Sequence, residues 1–80
     1  MTLKTILSTA MGQFYSRPEP SADPFASPGA IIEAGSPIGM VEIMKTFTPV
    51  EAEASGRFVR YLVEDEVIVM PGDPLYEIDG

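Results

Sequence analysis

Lys45 is the residue of this 80-residue sequence that most invites a chemical interpretation. It lies in the run VEIMKTFTP, from Val41 to Pro49, which is otherwise mostly apolar. A lysine ammonium is strongly hydrated, and an apolar core excludes it unless it is paired. The amine is therefore expected at the surface, where a covalent modification could reach it.

Other chemistry is poorly supported. The chain has no cysteine and no histidine, which excludes Cys-His and Ser-His-Asp nucleophilic sites and the commonest general base at neutral pH. Disulfides and thiol or imidazole metal ligands are excluded as well. The acidic run from Glu64 to Glu66 lacks the alternating spacing and the glycine of a calcium loop. We expect no catalytic residue, no metal site, and a solvated turn at this run.

Charge and hydropathy restrict the possible partners. The net charge is −7, and the cationic residues are Lys4, Arg17, Lys45, Arg57 and Arg60. Nucleic acids and anionic membranes require clustered lysine and arginine, so neither is expected as a partner. No apolar run approaches the ~20 residues of a membrane span, and the N-terminus lacks a signal-peptide pattern. The cytoplasm is the expected location.

The distribution of proline and glycine predicts an all-β protein. No long window shows the i, i+3, i+4 periodicity of a helix, and the segments between the breakers are rich in β-branched and aromatic residues. The predicted strands are Thr5–Ser8, Gly12–Tyr15, a short piece near Ile31, Ile38–Ile43, Phe47–Ala52, Gly56–Val63, Val67–Val69 and Leu75–Ile78.

An internal repeat relates the two halves of the chain. The segment IEAGSPI from Ile32 recurs as VMPGDPL from Val69, and AMGQF from Ala10 recurs as ASGRF from Ala54. A twofold repeat of a four-strand unit fits two half-sheets that close over one core and remove exposed edges. We therefore expect one domain over residues 1–80, a flattened β-barrel (barrel-sandwich hybrid) of two four-stranded antiparallel sheets with pseudo-twofold symmetry.

The repeat also places the lysine. Lys45 follows the strand that ends near Ile43, at the tip that joins the two halves. Alternation along that strand sends Val41 and Ile43 to one face and Glu42 to the other. A tight turn at Met44 and Lys45 would carry the lysine into solvent, braced by the flanking apolar residues. The two chain ends should lie at the opposite pole.

The first half carries seven extra residues, and they fall in the Pro-rich segment 16–29, SRPEPSADPFASPG. Proline cannot donate to a strand ladder and is excluded from central strands. The segment is therefore predicted to be a protruding loop. Phe25 inside it is a candidate apolar anchor that would dock the loop on the barrel.

Glu42, Met44 and Lys45 form a Glu-x-Met-Lys motif at the centre of this all-β repeat. The arrangement resembles the biotinyl domain of biotin-dependent carboxylases, in the biotinyl/lipoyl attachment domain family, whose motif is typically Glu-Ala-Met-Lys-Met. The resemblance implies that biotin protein ligase joins biotin, as a covalent cofactor, to Lys45. It also implies that Glu42, Met44 and Thr46 contribute to recognition by the ligase. Thr46 and Ile43 stand where the family usually has methionine and alanine.

The Pro-rich loop is similar to the thumb of the biotin carboxyl carrier subunit of bacterial acetyl-CoA carboxylase, which most other biotinyl and lipoyl domains lack. The similarity lies in GQFY from Gly12, PEPSA from Pro18, and Phe25. It implies contact with biotin, or a part in partner choice, for the thumb residues Arg17, Pro18, Glu19, Pro20, Ser21, Ala22 and Asp23. The Ala/Pro-rich linker of many carrier subunits is missing, so either a compact carrier or a piece of a longer one is expected.

These likenesses imply a carrier subunit or domain that is not an enzyme by itself. Biotin would carry a carboxyl group from a biotin carboxylase subunit to a carboxyltransferase subunit of a biotin-dependent carboxylase, such as acetyl-CoA carboxylase of fatty acid biosynthesis. Two alternatives use the same fold. One is a lipoyl carrier of an oxidative complex, a class that commonly has an Asp-Lys-Ala context, and the other is an interaction module in which Lys45 stays unmodified.

Overall fold

Eight β-strands form the regular structure of residues 2–80, which are the residues that this computed structural model describes. The strands are β1 Leu3–Leu7, β2 Gly12–Tyr15, β3 Ile31–Ile32, β4 Pro37–Ile43, β5 Thr46–Glu51, β6 Gly56–Tyr61, β7 Ile68–Val69 and β8 Pro74–Asp79. No helix of the described residues is long and apolar enough to cross a membrane. The all-β prediction is confirmed, although β1 begins two residues earlier and β6 ends two residues earlier than predicted.

The strands form two four-stranded antiparallel sheets, which face each other as a flattened sandwich. Sheet I has the order β1-β8-β6-β3, and sheet II has the order β5-β4-β2-β7. Replacing each strand of the first half by its counterpart four places later converts one order into the other. The predicted pseudo-twofold therefore exchanges the two sheets.

Hydrogen bonds repeat with the same symmetry. The Gly35 N–H donates to the Ala52 carbonyl at 2.8 Å, and the Gly72 N–H donates to the Ser8 carbonyl at 2.8 Å. Both glycines have a positive φ, 91° and 96°, which favours glycine because it has no Cβ. The two Gly-x-Pro turns of the repeat are thus equivalent in structure as well as in sequence.

The pseudo-twofold relates the β4–β5 hairpin to the pair formed by β8 and β1. The chain ends therefore meet where the other half has its hairpin. β1 and β8 pair with Leu3 opposite Asp79, and the Gly80 N–H donates to the Thr2 carbonyl at 3.2 Å. One pole of the pseudo-twofold therefore holds the termini, and the other holds the turn with Lys45.

One apolar core lies between the sheets and serves both halves. Its largest fully buried side chains come from both sheets, and most alternate along the strands. Leu75 and Tyr76 are consecutive and both buried, at the register shift between β1 and β8. The Phe58 ring lies 4.7 Å from the Tyr61 ring and 5.9 Å from the Tyr76 ring, measured between centroids. The fully buried side chains are Phe14, Ile38, Val41, Phe58, Val69, Leu75, Tyr76 and Ile78.

Candidate functional site

The turn between β4 and β5 has a sharply defined shape. Ile43 pairs with Thr46, so the loop consists of Met44 and Lys45 alone. Their φ angles are 48° and 68°. A two-residue hairpin loop with positive φ at both positions is a type I′ turn, whose twist matches that of the flanking strands. The predicted tight turn is confirmed.

Neither Met44 nor Lys45 is a residue type that the type I′ backbone conformation favours. Asparagine and glycine favour type I′ positions, whereas a side chain such as methionine or lysine costs about 1–2 kcal/mol per residue in the left-handed region. Such strain persists where the surrounding structure holds it, and it is common at functional sites. Here the β4–β5 ladder holds the turn, with pairs running from Pro37 opposite Glu51 to the turn itself.

The turn presents its side chains to solvent. Met44 is 93% exposed, and Lys45 is exposed as well. Within residues 2–80 the ion pairs are Arg17 with Asp65 and Arg60 with Glu77, so the Lys45 amine is not engaged in either of them. The structure therefore offers a projecting primary amine at one pole of the domain.

Bracing of the turn comes from a neighbouring strand. The Met44 side chain, which belongs to the turn itself, is exposed and takes no part. Phe47, the second residue of β5, lies with its ring centroid 5.9 Å from that of Tyr15 on β2. This contact ties the β5 side of the hairpin to the outer face of sheet II.

Glu42 lies on the same outer face. The Tyr15 hydroxyl is 3.1 Å from Glu42 Oε1 and 3.0 Å from Gln13 Oε1, so it can donate to either oxygen. Burial, the hydrogen bond to Glu42 and the nearby carboxylates raise the pKa of Tyr15. Thr46 is exposed at the start of β5. Glu42 and Thr46, which flank the lysine in the sequence motif, thus lie close to it, and the Tyr15 hydroxyl can hydrogen-bond to Glu42.

The predicted thumb is the segment between β2 and β3, and it contains no strand. Its tip is a turn in which the Ala22 N–H donates to the Glu19 carbonyl at 3.0 Å. Arg17 Nη1 donates to the Ala22 carbonyl at 3.1 Å and closes the turn from the side. Residues Pro18 to Ser21 are exposed.

Asp65 fastens the base of the thumb. Its Oδ1 accepts from the Ser16 N–H at 2.8 Å and from the Ser16 hydroxyl at 2.5 Å, and its Oδ2 lies 3.6 Å from Arg17 Nε. The expectation of a solvated turn fits the exposed Glu64 and Glu66 and is wrong for the half-buried Asp65. No local sequence pattern could have shown this, because the partners are 49 residues apart.

The other end of the thumb enters the core through Ala26. That residue is 5% exposed and belongs to the core cluster, whereas Phe25 is only half-buried and lies outside it. The apolar anchor is therefore Ala26 and not Phe25. Nearby, the Tyr61 hydroxyl donates to the Ile38 carbonyl of β4 at 2.7 Å. Burial is the main cause that raises the pKa of Tyr61 to about 12.

A groove of about 770 Å³ separates the thumb from the outer face of sheet II. One wall is the thumb, with Arg17, Pro18 and Glu19, and the floor contains Tyr15 and Phe47. Its volume lies within the range of roughly 300–1,000 Å³ typical of ligand sites. Because Phe47 lies two residues after Lys45, the groove begins at the lysine hairpin.

Replacing Asp65 by alanine is expected to free the thumb. Ser16 is 6% exposed, so the change leaves a buried N–H and hydroxyl without their acceptor and should cost about 2 kcal/mol. Amide hydrogen exchange at Ser16 and Phe25 should accelerate more than exchange in β4 and β8. The matched control is Glu64→Ala, which removes an adjacent exposed carboxylate. Equal exchange in both variants would contradict the clamp.

Comparison with known proteins places this geometry in context. The family model described as "Biotin-requiring enzyme" matches residues 4–78. The biotin carboxyl carrier protein of acetyl-CoA carboxylase from Pyropia yezoensis is 32% identical over 75 residues, which are 94% of this chain and 48% of that protein. Its namesake from Chlamydia muridarum is 34% identical over 70 residues, 88% of this chain and 39% of that protein. The chain thus spans about half the length of these relatives or less.

Solved structures share the fold. The urea carboxylase of Kluyveromyces lactis matches with a TM-score of 0.77 and 26% identity, over 99% of this chain and 6% of that one. A single-chain, multi-domain long-chain acyl-CoA carboxylase matches with a TM-score of 0.73 and 27% identity, over 94% of this chain and 7% of that one. Given these likenesses and the family match over residues 4–78, the chain belongs to the family of biotin-requiring enzymes.

Proposed function

We propose that this chain is a biotin carboxyl carrier and that biotin is attached through an amide to Nζ of Lys45. The observation that carries the proposal is the turn itself, in which Met44 and Lys45 both have positive φ and the lysine projects from one pole. The carrier proteins and carboxylases to which the chain is similar support it. Biotin supplies a ureido nitrogen that can bear a carboxyl group.

The chain's own residues present the attachment point and perform no catalytic step. The hairpin fixes where the lysine leaves the domain, which limits the volume that the tether can search and raises its effective concentration at a docked partner. In this proposal the partners are a biotin protein ligase, a biotin carboxylase and a carboxyltransferase. Residues 1–80 act as one carrier domain in the cytoplasm, as predicted from the sequence.

We also assign the predicted recognition roles within this proposal. Met44 and Thr46 flank the acceptor and offer exposed surface to the ligase, and Glu42 lies on the strand that leads to it. The thumb, residues 17–23, forms one wall of a groove that begins at the hairpin. Its position supports a role in contacting biotin or in choosing partners.

Intact mass measurement after co-expression with biotin protein ligase and biotin tests the attachment. We expect the mass of one biotinyl group on the chain and none on a Lys45→Arg variant, which keeps the charge but has no acylatable amine. Co-expression with a lipoate ligase and lipoate should add nothing. An unmodified chain, or a biotinylated Lys45→Arg chain, would contradict the proposal.

A further inference from the structure

The groove between the thumb and sheet II has an unbalanced charge. The carboxylates of Glu19, Glu64, Asp65 and Glu66 line it, against the one guanidinium of Arg17. Arg17 and Asp65 are already paired with each other. Neither Glu64 nor Glu66 belongs to an ion pair found within residues 2–80. The groove therefore carries uncompensated negative charge beside the attachment lysine.

The floor of the groove is aromatic. The rings of Tyr15 and Phe47 lie 5.9 Å apart with an interplanar angle of 54°, and Phe47 is 54% exposed. A planar guanidinium can stack on an aromatic face while its N–H groups donate to carboxylates. Burial is the largest cause that raises the pKa of Tyr15, and the carboxylates of Glu42, Glu66 and Asp65 raise it further, so they lie near its hydroxyl.

Among residues 2–80, the corresponding face of sheet I carries cationic side chains. The twofold exchanges the sheets, but β6 places Arg57 and Arg60 on sheet I, and Arg60 Nε lies 2.7 Å from Glu77 Oε1. Within the described part of the chain, the ring pair of Tyr15 and Phe47 lies on the sheet that carries Lys45, and Glu64 and Glu66 come from the segment between β6 and β7. General surface acidity does not account for this combination.

We infer that this groove is a docking site for an arginine side chain of a partner protein that works on the attachment lysine. The identity of the partner rests on the proposed function. The choice of an arginine side chain rests on the carboxylates and the aromatic rings of the groove. Amide formation at Lys45 removes a positive charge and takes the net charge from −7 to −8. Docking should therefore be tighter after modification.

An NMR titration of the unmodified chain with the peptide acetyl-Gly-Arg-Gly-amide tests the site. We expect saturable shifts of the Tyr15 and Phe47 ring resonances. The matched citrulline peptide has the same shape without the charge, and it should bind at least about fivefold more weakly, since exposed charge pairs each contribute modestly.

Two double variants, each of which removes two negative charges, test whether binding of the arginine peptide depends on the groove. Glu64→Gln with Glu66→Gln should weaken the arginine peptide about fivefold. Glu33→Gln with Glu51→Gln changes the charge by the same amount outside the groove and should leave the Kd unchanged. No saturable shift, equal binding of the citrulline peptide, or equal weakening in both variants would overturn the inference. These readouts do not involve biotin, so failure of the carrier function alone would leave them intact.

Discussion

Moving the lysine by one residue is expected to slow biotin incorporation at least about a hundredfold. The variant Lys45→Asn with Thr46→Lys keeps a lysine on the hairpin and leaves the net charge unchanged. Asparagine accepts the left-handed conformation that position 45 requires, so the turn should persist. The new lysine would start β5, displaced by about 3.3 Å along the strand and directed to another face.

A displacement of that size should slow attachment at least about a hundredfold, because misplacing a reacting group by about 1 Å can cost that much. Intact mass after co-expression with the ligase measures the result. Thr46→Lys alone is the matched control, since it adds the same lysine and retains Lys45. Its loading measures what the loss of Thr46 costs by itself, and the double variant should be loaded at least about a hundredfold more slowly than this control. Comparable loading of the double variant would show that an exposed lysine suffices and that the turn geometry does not define the acceptor.

The sequence was sufficient where a repeated local pattern determines the structure. The two Gly-x-Pro segments have equivalent turns, and the repeat correctly predicted both the two sheets and the joining hairpin. The alternation of Val41 and Glu42 correctly separated an inward residue from an outward one. Periodicity and turn chemistry are local properties, so one sequence contains the information.

The thumb illustrates what the sequence could not supply. Its attachment depends on Asp65, whose partner Ser16 is 49 residues away and follows no local pattern. Choosing Phe25 as the anchor followed from its size, but the space that the core leaves at the thumb accepts the small side chain of Ala26. The groove and its aromatic floor also arise from segments that only the tertiary fold brings together.

Replacing Gly12 by alanine is expected to destabilise the domain severely. A Cβ at this position would lie 2.3 Å from Val41 Cγ1, 2.7 Å from the Glu42 carbonyl oxygen and 2.9 Å from Ile43 Cγ1. The carbonyl belongs to the β2–β4 ladder, where Gln13 pairs with Glu42, and cannot retreat without loss of pairing. Overpacking of this kind costs about 1–3 kcal/mol or more, against the ~3–5 kcal/mol that one core of this size supplies.

The pseudo-twofold provides the matched control. Gly56 corresponds to Gly12, but a Cβ there would approach the Asp79 carbonyl oxygen only to 3.0 Å, next to the chain end. Urea unfolding should therefore show a much smaller loss for Gly56→Ala, with an unchanged m-value. Equal losses would mean that the contact with β4 is unimportant. The contact involves the three residues before Met44. The folded fraction of the Gly12→Ala protein should therefore accept biotin more slowly as well. That result would link the packing of β2 to the position of Lys45.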